Sequence, residues 1–328
     1  MTGRGLIDIH HHFVPPFYLE ENREAIVESW GGKLSPPWSS WTPEKSIEAM
    51  DRNGISRAIL SLSSPGVWVG DASGVRKLAR RVNEYGAGLG RDHPGRYGLF
   101  ASVPLPDTEG SLREIEHALD VLKADGIALL TSYEGKWLGD ESYRPVLDEL
   151  DRRGAVVFVH PTVPRSCRTL LPGVPPVVTE IPQDTSRAIA NLLYSGTLSR
   201  CRKIRFIFTH AGGAMPITYG RMVQFAPKEL ARDAPEGIAF EIGRHHYDIA
   251  ATAHAPAIAA LRSLVPASQV LFGTDSPFAP AESTVAGMRN VGFSDRELRA
   301  IGRGNSLSLL RRADREPAPF GGAITVPG

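Results

Sequence analysis

Eight short apolar runs recur along this chain with helical patterns between them, and that rhythm restricts the fold more than any other feature. They cover residues 6–13, 58–62, 97–103, 126–130, 155–160, 204–210, 238–242 and 270–274. Runs of this length alternating with helix-length segments imply βαβ units and a parallel sheet. Their near-continuous apolarity means a sheet covered on both faces, and eight such units predict a closed (β/α)8 barrel. No Gly-x-Gly-x-x-Gly follows the first run, so the main signal for an open dinucleotide-binding sheet is missing.

The intervening pattern predicts helices over 43–53, 73–90, 108–124, 143–153, 184–196 and 255–265. The first has Thr42 as cap, Pro43 in its opening turn and Glu44 beside it. Gly54, Gly126, Gly154 and Gly196 stand where helix C-caps would fall. Two stretches, 31–41 and 161–182, read as irregular loops at the catalytic face. Neither interrupts the rhythm, so residues 1–315 are expected to form one domain, followed by a Pro- and Gly-rich tail at 316–328.

Composition narrows the function. Of 328 residues 42% are hydrophobic, enough for a large core. Lysine and arginine (37) almost balance aspartate and glutamate (36), without a basic run, which argues against nucleic-acid binding. Cys167 and Cys201 lack ligand or disulfide spacing and read as reduced thiols. No signal-peptide core opens the chain, and no apolar stretch approaches the roughly 20 residues that cross a bilayer. A soluble cytoplasmic protein, away from membranes, is expected.

The ends of the runs carry the chemistry. Asp8-Ile9-His10-His11-His12 lies in the first, and strand alternation predicts Asp8, His10 and His12 on one face with His11 opposed. His160 closes the fifth run, His210 the sixth and Asp275 the eighth. Barrel active sites sit at the C-terminal ends of strands. His10, His12, His160 and Asp275 would supply three nitrogens and one oxygen, a set suited to Zn²⁺ with Mn²⁺ as an alternative. His210 is left as an acid/base beside the metal. No lysine ends the fourth or fifth run, which argues against a carbamylated-lysine bridge and a second metal.

The ordered set resembles the amidohydrolase superfamily, in its branch of aminocarboxymuconate-semialdehyde decarboxylase and related aromatic-acid decarboxylases. Ile-Asp-Ile-His-His-His-Phe at 7–13, Phe-Val-His-Pro at 158–161, Thr-His-Ala-Gly-Gly at 209–213 and Gly-Thr-Asp-Ser-Pro-Phe at 273–278 carry it. Ile-Pro-Gln-Asp-Thr-Ser-Arg at 181–187 and Gly-Asn-Ser at 304–306 extend it to most of the chain. The resemblance implies the same four ligands, His210 as catalytic acid/base, and Arg221 meeting a substrate carboxylate across a homodimer interface. Residues 11–17 and 61–66 look most like 6-methylsalicylate decarboxylases. The muconate-semialdehyde enzymes have an arginine before the Trp41 position, whereas 35–40 here has none. That departure suits a single carboxylate on an aromatic body, with Trp38 and Trp41 as candidate stacking surfaces.

The expected reaction is non-oxidative decarboxylation of an ortho-hydroxy aromatic acid, with His210 or Asp275 as proton donor and Arg221 or Arg187 steadying the carboxylate. Hydrolysis of a lactone, ester or amide on the same residues is the second reading. A metal-free binding protein on a barrel is the third.

Overall fold

The rhythm of apolar runs becomes an eight-stranded parallel sheet in the computed structural model, which describes residues 5–30, 32, 34–69 and 72–311. The tail expected at 316–328 lies outside the described residues. The strands are β1 (Leu6–His12), β2 (Ile55–Ser61), β3 (Tyr97–Ser102) and β4 (Gly126–Leu130). A small antiparallel hairpin follows, β5 (Ser132–Tyr133) with β6 (Lys136–Trp137). Then come β7 (Val156–His160), β8 (Arg205–Phe208), β9 (His246–Asp248) and β10 (Val270–Leu271).

The sheet order is β1-β2-β3-β4-β7-β8-β9-β10. The chain after β10 returns to β1: Ile9 N–H donates to Phe272 O at 3.0 Å and His12 N–H to Ser276 O at 2.7 Å. These bonds close the (β/α)8 barrel. Its interior is filled by Ile9, Ile59, Phe100, Phe158, Ile207 and Leu271, with Leu309 of helix Asn305–Arg311 packed into the same cluster. A larger apolar layer lies between strands and outer helices. Interior and outer layer together are why the strands read as unbroken apolar runs.

Helix Pro43–Arg52 starts as its sequence predicts, with the Thr42 hydroxyl accepting from Lys45 N–H and Gly54 in the left-handed region just past its end.

Several expectations are corrected. Residues 238–242 are not the seventh strand but helix Ile238–Gly243, and the strand is the three-residue β9. Ile238 and Ile242 stand four apart, which serves one helical face as well as a strand. Gly126 is no C-cap: it opens β4, where a Cβ would come within 2.5 Å of Val156 O. Lys123 takes the left-handed turn instead, with φ 56°. The stretch 161–182 is not all loop, because helix Pro176–Tyr194 contains Pro182. The missing N–H there falls opposite Val178, an exposed residue in the first turn whose carbonyl can meet water. The stretch 31–41 likewise contains the short helix Pro36–Ser40.

Candidate active site

Strand β1 carries a bulge where the site begins. Its partners on β2 run Asp8 to Ala58 and then His11 to Leu60, so one extra residue is accommodated on β1. His10 O there accepts from both Thr274 N–H (3.3 Å) and Asp275 N–H (2.8 Å). The bulge breaks the expected alternation. Ile9 and His10 both face the interior, His10 lying 5.0 Å from the Phe158 ring. Asp8 does not share the face of His10 and His12. Its carboxylate accepts from His11 Nδ1 (2.9 Å) and from Thr274 N–H (3.0 Å) and hydroxyl (2.5 Å), while His11 Nε2 reaches Ser46 Oγ (2.9 Å).

His10, His12, His160 and Asp275 converge at the C-terminal mouth of the barrel, with one candidate ligand atom from each lying within 4.8 Å of all the others. Each imidazole has its Nδ1 against an acceptor: His10 on Asp248 Oδ2 (3.0 Å), His12 on Ser61 O (3.1 Å) and His160 on Pro161 O (2.8 Å). These contacts place the protons on Nδ1 and leave lone pairs on the three Nε2 atoms. His10 Nε2 and His12 Nε2 are 3.1 Å apart, and Asp275 Oδ1 lies 3.3 Å and 3.0 Å from them. Lone pairs facing at that distance repel unless a cation joins them. The donor set therefore fits a divalent ion, and these four residues form a divalent metal site.

The electrostatics agree. Burial holds the His160 imidazole well below its ordinary value, with His12 and His10 adding to the effect, and burial lowers His12 as well. Both are neutral, as ligands must be. Burial also works against charge on His10, but Asp248 and then Asp275 outweigh it and push that imidazole up to about 10. The carboxylates that favour a proton there favour a cation equally. Asp275, pulled up by burial, is held well below the carboxylate range by His10, His12 and His210.

His210 approaches the other oxygen of Asp275, with Nε2 3.6 Å from Oδ2, and its buried Nδ1 has no hydrogen-bond partner among the described residues. It leaves β8 in a strained turn, with positive φ at His210 and Ala211 (54° and 56°), and Asp275 after β10 also has positive φ (64°). Such conformations cost about 1–3 kcal/mol each and collect at functional sites. The turn fits under helix Pro176–Tyr194 only because residue 213 is glycine, since a Cβ there would lie 2.1 Å from Pro182 O.

Asp248 was not singled out from the sequence. It holds His10 through one oxygen, and through the other accepts His210 N–H (3.1 Å) and Ala250 N–H (3.0 Å). One buried carboxylate thus orients a ligand side chain and holds the backbone of His210. Its signal was an Asp ending a short run, hidden because the longer apolar run at 238–242 drew the strand assignment upstream.

The four substrate-binding candidates separate. Trp38 is buried behind Phe278 (ring centroids 5.1 Å apart), and Phe278 in turn lies 5.5 Å from the His12 ring. Trp41 packs on Phe13 (6.5 Å), whose ring stacks with Tyr85 of the helix layer, and is not brought to the metal ligands. Arg187 faces two carboxylates, Glu180 (3.7 Å) and Asp184 (4.0 Å), which leave it no spare charge. Arg221 is exposed on helix Met215–Gln224 with its guanidinium 5.0 Å over the Phe225 ring.

The amidohydrolase family profile matches residues 7–312. A 6-methylsalicylic acid decarboxylase of Aspergillus aculeatus is 36% identical over 319 residues, spanning 93% of this chain and 93% of its own. Another, from Penicillium expansum, is 37% identical over 289 residues, 84% of this chain and 86% of its own. Among solved structures, a 5-carboxyvanillate decarboxylase of Novosphingobium aromaticivorans, in complex with manganese and a nitrobenzoic acid, superposes with TM-score 0.84. It covers 94% of this chain and 97% of its own at 21% identity, which speaks to the fold alone.

Proposed function

The chain belongs to the amidohydrolase family, and from that premise we propose that it decarboxylates an ortho-hydroxy aromatic acid of the 6-methylsalicylate type. The observation that carries the reading is the division of Asp275: one oxygen faces the ligand imidazoles, the other faces His210. Fungal relatives of the same length bearing that activity in their names support the choice of substrate.

Held by His10, His12, His160 and Asp275, a divalent ion would supply Lewis-acid polarisation of the substrate. The rest falls to side chains. Asp275 faces the ligand imidazoles through one oxygen and His210 through the other, so His210 is the group placed to deliver the proton. From the far side of Asp275 it delivers that proton to the ring carbon bearing the carboxylate. The carbon–carbon bond then breaks, its electrons restore the aromatic ring, and CO₂ leaves. Phe278, backed by Trp38, offers the ring an apolar wall beside His12. We assign zinc as the ion on the three-nitrogen, one-oxygen set; the manganese of the 5-carboxyvanillate enzyme makes manganese the alternative.

We further assign a homodimer. Helix Met215–Gln224 exposes Ile217 (76%), with Phe225 (62%) at its end, and the neighbouring helix Pro176–Tyr194 exposes Val178 (62%). A face of that kind is what an interface covers, and pairing there would carry Arg221 toward the partner's site to meet the substrate carboxylate. No helix among the described residues is long and apolar enough to cross a membrane. With both cysteines unpaired, we place the protein in the cytoplasm.

The test is metal-loaded protein with 6-methylsalicylate in heavy water. Release of CO₂ and of 3-methylphenol carrying one ring deuterium is expected, and His210→Asn should keep the metal and lose about 10²–10⁴-fold in kcat. 6-Methylsalicylate recovered unchanged, while an aryl ester or lactone is turned over with uptake of labelled water oxygen into the acid formed, would establish hydrolysis instead and overturn the reading.

A further inference from the structure

His10 is oriented by a carboxylate, Asp248, bonded directly to its Nδ1. His160 has a carbonyl instead, Pro161 O at 2.8 Å. A carbonyl is a weaker acceptor than a carboxylate, so the two ligands look unequal. The difference narrows one bond further on. The carbonyl of Pro161 and the N–H of Thr162 belong to the same planar amide, through which charge at one end polarises the other.

That N–H donates to Thr131 Oγ1 (3.1 Å) and, more distantly, toward Asp184 Oδ2 (3.4 Å), while the Thr131 hydroxyl donates to the same carboxylate oxygen. Asp184 is fully buried on helix Pro176–Tyr194, and its other oxygen accepts from the Trp137 indole N–H (2.9 Å) of β6. Every neighbour within reach is a donor, and the Arg187 guanidinium stands 4.0 Å away, so the carboxylate acts as acceptor throughout. Thr131 N–H also donates to His160 O (2.9 Å), so the backbone is tied on both sides of the ligand.

We propose that Asp184 is a positioning residue for the metal ligand His160, acting through the Thr131 hydroxyl and the Pro161–Thr162 peptide. The line runs from the Asp184 carboxylate to Thr131 Oγ1, to Thr162 N–H, across the amide to Pro161 O, and to His160 Nδ1. It orients the imidazole and raises the basicity of its Nε2, doing through a peptide what Asp248 does for His10 directly. It also gives the Glu180–Asp184–Arg187 face of the helix a purpose: the guanidinium works against the rise that burial imposes on the Asp184 carboxyl. The inference rests on the metal site and not on the reaction assigned to it.

Metal affinity of the full-length protein, measured by chelator competition with Zn²⁺ and Mn²⁺, tests it. Asp184→Asn and the isosteric Thr131→Val should each weaken binding by about 10–100-fold, the range for loss of such outer partners. The absorption bands of Co²⁺-loaded protein should shift in the same variants. Trp137→Phe, which touches Asp184 outside the line, should stay within about twofold of the parent. The proposal is overturned if Asp184→Asn binds like the parent, or, should that variant not fold, if Thr131→Val does. Equal loss in Trp137→Phe would also overturn it, by making the effect one of packing. If the parent binds metal normally yet leaves salicylates intact, the reaction assignment fails and this one stands.

Discussion

His245 shows how much a single buried side chain can decide. It lies edge-on against the stacked rings of Phe206 (5.3 Å) and Phe208 (5.7 Å) on the outer side of β8, and its Nε2 has no partner among the described residues. Burial, with Arg244 nearby, holds the imidazole well below its ordinary 6.5. The folded chain keeps it neutral, whereas the unfolded chain takes up a proton below about pH 6.5. Stability contributed by this position is therefore complete above that pH and declines as the pH falls through it, by at most about 1.4 kcal/mol per pH unit. His245→Phe should flatten the acid side of a stability–pH curve measured by urea unfolding between pH 8 and 5. A variant with unchanged slope would show that His245 does not titrate on unfolding. The ligand histidines obey the same logic with a different outcome: His12 and His160 are neutral by burial, and a cation, not a proton, is what their lone pairs await.

Elements follow their local signals where those signals concern caps and runs, and depart where neighbours intrude. Thr42 and Gly54 bracket helix Pro43–Arg52 through bonds made within a few residues, which is why they are readable. Helix Pro16–Ser29 buries only Tyr18, Ile26 and Ser29, so no apolar stripe announces it. Gly126 was misread because its reason is a neighbouring strand: a Cβ would meet Val156 O at 2.5 Å and the Val156 Cβ at 3.0 Å across the β4–β7 pair. Gly126→Ala should accordingly cost about 1–3 kcal/mol through overpacking, read as a lowered midpoint in thermal or urea unfolding. A midpoint equal to the parent's would mean that β7 can move aside. The β1 bulge belongs here too. One extra residue turns His10 inward beside Ile9, and no count of alternating residues could have found it.

The whole molecule is a scaffold that gathers groups from distant parts of the chain: Asp8 and Thr274 are 266 residues apart, His10 and Asp248 238. Arg221 and the exposed face beside it are tested at this level, because the proposed homodimer assigns both to an interface. Phe225→Asp should convert a dimer into monomers in sedimentation velocity and lower kcat/KM with it. Arg221→Met should leave the dimer intact yet reduce kcat/KM roughly 10–100-fold, as loss of a charge-assisted contact of about 1.5–3 kcal/mol would. A parent that sediments as a monomer at full activity would remove both the interface and the role of Arg221.

By itself the sequence determined the barrel and the ligand set. Both depend on repeated local patterns: apolar runs of strand length, and a polar side chain at the C-terminal end of several of them. The tertiary structure alone decided which histidine nitrogens face one another, that Asp8 turns outward, that 238–242 is helical, and that Asp248 and Asp184 stand behind the ligands. The reason is physical. Those outcomes depend on contacts between residues far apart in the chain, and each placement is settled by its partner's position and not by its own neighbours in sequence.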